Sequence, residues 1–354
     1  MHVRLVTWDD DPPRGGQGVY VRELRSALQH RGIVVSTVAG RGEFAVAYPH
    51  VVGHEALDMS LWLNRNLTAV LSNSPDLLQI SGGPGGLLLL RRVNVPVVYC
   101  AYHTYIQAHR WPSPRRSLGL LEARAYRLAS RVAAISPSTA DAVARLGVNP
   151  SRIVVIPPGV RPLPGTGSVD KEPGRMLFVG RLERDKGPLD AIAAMSLVID
   201  SVPGATGYIV GEGSLDQEVA KTATDKSAGR VRYLGTLSDV ELARQYQLAQ
   251  VVLVPSRYEG LNLVALEARA AGAVVVGYDV TGLRDSIGRY GSLVQPGDVV
   301  ALAKACARLL TNQKLLAERA AESTEAVLRD HSWEQCAKSF EDLYREASSD
   351  AFHR

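Results

Sequence analysis

Short apolar runs alternate along the chain with stretches in which apolar side chains recur every third or fourth position. HVRLVTW at residues 2–8 reads as a strand. After a glycine-rich turn, Val21, Leu24 and Leu28 recur at i, i+3 and i+7, which predicts a helix from about Val19. Further strand candidates are GIVVSTVA, TAVLS, LLQIS, VPVVYC, RVAAIS and RIVVIP, with helical patterns at 115–130 and 138–146. The strand series continues at 175–180, 206–210, 231–234, 251–254 and 273–277. This alternation predicts an α/β protein, because parallel strands need crossover connections and helices then cover both sheet faces.

One segment breaks the rhythm. In 157–175, PPGVRPLPGTGSVDKEPGR, nine of 19 residues are Pro or Gly, which suits neither helix nor strand interiors. It separates an N-terminal Rossmann-like domain, 1–160, from a second one, 161–331. The remainder, 332–354, reads as an amphipathic helix over 332–348 with Trp333, Cys336, Phe340 and Leu343 along one side. Two domains suit a chain of 354 residues. In this architecture the site is expected where strand carboxyl ends of both halves face each other across a cleft.

Composition narrows the class. A chain 46% hydrophobic and 21% charged is neither disordered, fibrous nor a disulfide-stapled mini-protein. Cys100, Cys306 and Cys336 form an odd set without zinc spacing, in apolar segments, and read as buried thiols. The longest stretch free of Asp, Glu, Lys and Arg is 93–109, only 17 residues with Asn94, Pro96 and His103 among them, so it is no membrane span. MHVRLVTWDDD lacks a signal-peptide apolar region, and the expected location is cytoplasmic. Charge is uneven. Residues 1–161 carry 18 Arg, no Lys and 10 Asp and Glu, giving 18 − 10 = +8; the remainder is −4 within a total of +4. A basic half favours an anionic acceptor or peripheral contact with an anionic membrane face, and a solvated Arg-rich surface is the alternative. Nucleic acid is not expected, since no aromatic–basic interleaving occurs.

The strongest candidate chemistry is RYEGLNLVALEARAAG, 257–272, after the apolar run VVLVPS. Glu259 falls in the turn and Glu267 nearly two turns into a helix that starts near Asn262. Gly260 lets the backbone approach a ligand, with first-turn amides aimed at an anion. In FVGRLERDKGPLDAI, 178–192, a strand ends at Gly180 and the turn carries Arg181 and Lys186. A planar guanidinium and a point-charge ammonium suit a diphosphate. VGEGSLDQEV (210–219) and VRYLGTLSDVELARQY (231–246) are strand–turn–helix units that place Leu237–Asp239 beside a bound base. VTGLRDSI, 280–287, adds a glycine turn toward the same place.

These segments resemble the retaining glycosyltransferases of family 4, which have the GT-B fold. The resemblance runs in order from GRL…DKG through the Glu-x7-Glu segment to PGD. It extends more loosely over PRGGQGVYVREL, VVYCAYHTY and VAAISPSTADAVARLGV. It implies that Arg181 and Lys186 bind the donor diphosphate, Glu259 holds donor-sugar hydroxyls and Glu267 the ribose hydroxyls. Amides around Leu261, Asn262 and Leu263 complete the phosphate site, His103 lies beside the transferred sugar, and Gly15 and Gly16 belong to a loop over donor and acceptor. It further implies a metal-independent hexosyl transfer from a UDP- or GDP-sugar, which is a substrate rather than a cofactor, to a hydroxyl acceptor with an α-linkage. A nucleotide-sugar-binding protein, a sugar phosphorylase or an epimerase on the same fold are the alternatives. The phosphorylase would need a phosphate site and usually a pyridoxal-binding lysine; no Lys occurs before Lys171.

The sequence departs from the family at Asn262, where Gly is usual, and at Leu261, where an aromatic is usual. Thr281 and Arg284 replace a usual Gly and Pro, and the strand end near Gln79–Pro84 carries Ser-Gly-Gly. Asp9–Asp11 reads as loop carboxylates rather than a metal motif, given Pro12 and Pro13 after it. The run HRWPSPRR, 109–116, reads either as a contact for an acceptor phosphate or a membrane surface, or as a solvated loop.

Overall fold

In a computed structural model describing residues 1–83, 86–108, 118–160, 170–227 and 229–352, the chain forms two compact units. One comprises Met1–Gly159 with His331–Arg354, the other Val160–Asp330. Each holds one six-stranded parallel sheet. In the first unit the strands are β1 (His2–Thr7), β2 (Val34–Ala39), β3 (Leu77–Gly82), β4 (Val97–Ala101), β5 (Arg131–Ala134) and β6 (Ile153–Val155). Their order is β2-β1-β3-β4-β5-β6. The second unit has β7 (Arg175–Val179), β8 (Thr206–Val210), β9 (Val231–Tyr233), β10 (Val251–Val254), β11 (Val274–Tyr278) and β12 (Ser292–Val294), ordered β12-β11-β10-β7-β8-β9. The α/β class expected from the sequence is the class observed.

The reason lies in the period of two. Val251 and Leu253 of β10 join one core with Met176, Phe178, Ile209 and Val274. Val252 and Val254 join the opposite core with Leu177, Val210 and Val275. A strand buried on both faces must be apolar at every position, which is why VVLV carries no polar alternation.

One expected strand is a helix. TAVLS lies in and just beyond the single turn Leu67–Val70, which follows the helix Glu55–Arg65 after Asn66. Val70 buries in the core beside Met59 and Leu63. Asn73 and Ser74 then take left-handed φ values of 60° and 46°, which end the turn before β3. A short apolar run does not separate strand from buried helix by pattern alone.

The helix Trp333–Phe352 belongs to the first unit. Its Phe340, Leu343, Tyr344 and Ala347 are buried. Trp333 stacks edge-on to Tyr20 at 5.4 Å, the Tyr344 hydroxyl bonds Gln79 Oε1, and Glu341 pairs with Arg31 at 2.7 Å. The outgoing and returning chain lie side by side: His331 Nδ1 is 3.0 Å from Pro158 O, and a Cβ on Gly159 would collide with Trp333. Cys100, Cys306 and Cys336 are free and buried; burial pushes the Cys100 thiol up to about 12. Among the described residues no helix is long and apolar enough to cross a membrane.

Candidate functional site

In the second unit, the chain leaves β7 toward β8 on one side and returns to β10 on the other. The carboxyl ends of β7 and β10 therefore flank the switch point, where a parallel sheet opens a crevice. Arg181 and Lys186 come from the β7 turn, and Glu259 from the β10 turn.

Glycines make this crowding feasible. A Cβ on Gly211 would collide with Gly180 O, and one on Gly213 with Leu182 O, so the turns after β7 and β8 touch backbone to backbone. They are also bonded: Leu182 N donates to Glu212 O at 2.7 Å and Leu215 N to Leu182 O at 2.9 Å. Ser214 Oγ donates to Glu183 Oε2 at 2.6 Å. Arg257 N donates to Asp185 O at 2.8 Å, tying the β10 turn to the β7 turn. Gly187, with φ 69°, turns the chain into the helix Pro188–Ser201 against Pro255 O.

Lys186 Nζ donates to Glu259 Oε1 at 2.8 Å, with side chains 21% and 8% exposed. Burial alone would lower the Lys186 ammonium; the adjacent Glu259 carboxylate outweighs it, and the net shift is upward. Lys186 thus stays charged at neutral pH. Arg181 is half exposed, 3.7 Å from Asp185. Asn262 caps the helix Leu263–Ala270. Its Nδ2 donates to Glu259 Oε1 at 2.8 Å, and its Oδ1 accepts from Ala265 N at 2.7 Å. Glu267 accepts from the Tyr246 hydroxyl at 2.9 Å. Gly260 and Leu261 are buried, and a Cβ on Gly282 would collide with Glu259 O. The helix Thr281–Ile287 thus abuts the Glu259–Gly260 backbone. Leu237 lies beyond β9, and Ser238 caps the helix Asp239–Leu248 through a reciprocal bond with Glu241.

One expectation is narrowed. The Asn262 amide, assigned to phosphate, donates instead to Ser286 Oγ at 2.7 Å. The Ala265 amide is used by the cap. Leu263 and Val264 remain the first-turn amides with no intrahelical partner by position.

His103, Gly15 and Gly16 lie in the other unit. His103 follows β4. A Cβ on Gly83 would collide with its carbonyl, Thr104 N donates to Gln107 at 2.9 Å, and Tyr105 N to Glu122 Oε2 at 2.9 Å. Gly15 is the extended cap of the helix Gly16–His30. Asp9 accepts from Arg14 N at 3.0 Å and pairs with Arg41 at 2.8 Å, and Asp10 pairs with Arg25 at 2.8 Å. Arg31 and Arg131 also pair with acids of the C-terminal helix, so part of the basic excess is neutralised internally. The run 109–116 and Pro84 lie outside the described residues, as does 161–169 of the linker.

Sequence reasoning missed Glu122, Tyr246 and Ser286, which hold Tyr105 N, Glu267 and Asn262. The available signal for Glu122 was its i, i+4 relation to Tyr126, whose hydroxyl donates to Oε1 at 3.2 Å.

Residues 14–162 match the family described as Glycosyltransferase Family 4, and residues 173–312 that described as Glycosyl transferases group 1. The glycogen synthase of Mycobacterium tuberculosis is 29% identical over 97% of this chain and 94% of its own length. The D-inositol 3-phosphate glycosyltransferase of Pseudarthrobacter chlorophenolicus is 30% identical over 83% of this chain and 81% of its own. Among solved structures, Anabaena HepE in complex with UDP-glucose superposes with a TM-score of 0.74 at 17% identity, covering 99% of this chain and 100% of that one.

Proposed function

Because this chain belongs to glycosyltransferase family 4 and has the GT-B fold, we propose that it is a retaining transferase. It moves a hexosyl group from a UDP- or GDP-sugar to a hydroxyl acceptor with an α-linkage. The observation that carries this reading is the Lys186–Glu259 pair at the β7/β10 switch point. Cleaving a sugar–phosphate bond leaves negative charge on the diphosphate and builds positive charge on the sugar. A fixed ammonium therefore meets the first, and a fixed carboxylate beside it meets the second.

Arg181 and Lys186 hold the diphosphate, with the amides of Leu263 and Val264. Glu267, oriented by Tyr246, takes the ribose hydroxyls. Glu259 positions the sugar electrostatically, while the acceptor hydroxyl attacks from the departing face and passes its proton to the leaving phosphate oxygen. A trapped glycosyl adduct on Glu259 would replace that step by a covalent one. His103, Gly15 and Gly16 are the first unit's candidate substrate-contacting residues. HepE, with UDP-glucose bound, supports a nucleotide-sugar donor. The Arg-rich first unit, and a relative named for D-inositol 3-phosphate, support an anionic acceptor.

Thermal stabilisation by UDP, GDP, ADP and TDP at equal concentrations tests the reading. A ligand at about 100 times its dissociation constant adds roughly 2.7 kcal/mol, so the donor nucleotide is expected to stand out. Stabilisation by none, together with no nucleotide release from any nucleoside-diphosphate sugar, would sink it.

A further inference from the structure

Asn262 makes more bonds than a cap requires. Its amide is oriented by partners of opposite kind: Oδ1 faces the Ala265 N–H, and Nδ2 faces the Glu259 carboxylate. Rotating the amide by a half-turn would set NH2 against N–H and a carbonyl against a carboxylate, so the assignment is unambiguous. The backbone of the same residue is tied to Ser286, whose hydroxyl donates in turn to Gly282 O at 2.8 Å. Asn262 is thus fixed through its backbone N–H and its Oδ1, which leaves Nδ2 as the group free to donate elsewhere.

That donor goes to the oxygen Lys186 already uses. Lys186 Nζ and Asn262 Nδ2 both lie 2.8 Å from Glu259 Oε1, and Oε2 takes part in neither bond. The terminal torsion of a glutamate is broad. One donor fixes a point about which the carboxylate pivots; two donors from different directions fix its plane. Resting on the transferase reading above, we propose that Asn262 is a positioning residue: with Lys186 it saturates Glu259 Oε1, so that Oε2 is the oxygen presented to a hydroxyl of the donor sugar. Glycine at this place would leave that orientation to Lys186 alone.

Two substitutions separate this role from capping. Asn262→Ser keeps a capping oxygen but is too short to reach Glu259. Asn262→Asp keeps the cap and replaces the donor with a second carboxylate. Both are expected to melt cooperatively like wild type. Asn262→Ser should bind the stabilising nucleoside diphosphate, UDP or GDP alone, within about threefold of wild type, since no phosphate contact or charge changes. Transfer from the corresponding sugar nucleotide should lose up to about 100-fold in kcat, the scale of a misplaced reacting group. Asn262→Asp should regain kcat relative to wild type as pH falls from 8 to 5, because the protonated acid donates to Oε1 again. Wild-type kcat in Asn262→Ser, or equal losses of nucleotide affinity and kcat in both variants, would overturn the proposal and leave Asn262 a helix cap. A wild-type protein that binds no nucleoside diphosphate and turns over no sugar nucleotide would remove the transferase reading and this proposal with it. That outcome is told apart because it shows before any variant is made.

Discussion

Two buried carboxylates underlie the two candidate turns, and their surroundings settle them in opposite ways. Glu259, in the second unit, takes its bonds from a charged ammonium and from the Asn262 side-chain amide. Glu122, fully buried beneath the turn after β4, takes its bonds from a backbone amide and a phenol. Burial pushes its carboxyl up to about 8, although both bonds pull the other way. The first is an ion pair with Lys186 at the switch point. The second, at neutral pH, is a protonated strut that shapes a turn and contributes no charge. Similar burial has thus produced an electrostatic site in one unit and a steric scaffold in the other.

The contrast breaks most sharply at Lys186. Lys186→Ala removes the cation and leaves Glu259 with only the neutral Asn262 amide as a donor. Donor turnover is expected to fall about 10²–10³-fold, and stability by about 3 kcal/mol, the low end for opening a buried pair that keeps some solvent access. Steady-state kinetics and urea unfolding check both; near-wild-type turnover would remove Lys186 from the site.

Glu122 gives the next effect. The folded protein keeps the Glu122 proton up to about pH 8, whereas the unfolded chain releases it near 4.5. The unfolded state binds fewer protons across that interval, so stability is full below it, declines as pH rises through it and levels off above. The decline attributable to this one carboxyl is about 1.4 kcal/mol for each pH unit crossed. Glu122→Gln should abolish that slope, matching wild type near pH 4.5 and exceeding it at about pH 8.5. Parallel pH curves for the two proteins would show that Glu122 ionises normally.

The smallest test sharpens the steric side. Gly83 has φ 92° and faces the His103 carbonyl. Gly83→Ala should cost about 1–2 kcal/mol for the left-handed backbone alone, and should lower kcat by shifting His103. A methyl on Gly15, which is extended, meets nothing within 4 Å, so Gly15→Ala should stay within about 0.5 kcal/mol. Equal melting of the two variants would contradict the assignment of the His103 turn.

The fold is legible where burial imposes a period. VVLV at β10 and VVYC at β4 are apolar throughout because both sheet faces are covered. Leu67–Val70 misleads because four apolar-rich residues have no period to read. In the site, Glu259, Lys186 and Glu267 stand out by residue type and spacing. Their supports do not. Ser286 reaches Asn262 from 24 residues away and Tyr246 reaches Glu267 from 21, and a lone serine or tyrosine on a helix carries no mark of its partner. The occupied Asn262 amide is illegible for the same reason: only the packed helix Thr281–Ile287 reveals what accepts it.

The helix Trp333–Phe352 also sets an order of assembly. Domains fold as the ribosome releases them, at about 5–20 residues per second. Val160–Asp330 is complete in the nascent chain before Phe340 and Tyr344 have been added. The surface around Tyr20 and Gln79, made first, waits through the synthesis of the whole second unit for the helix that covers it. The half of the protein that is translated first is therefore the half that is completed last.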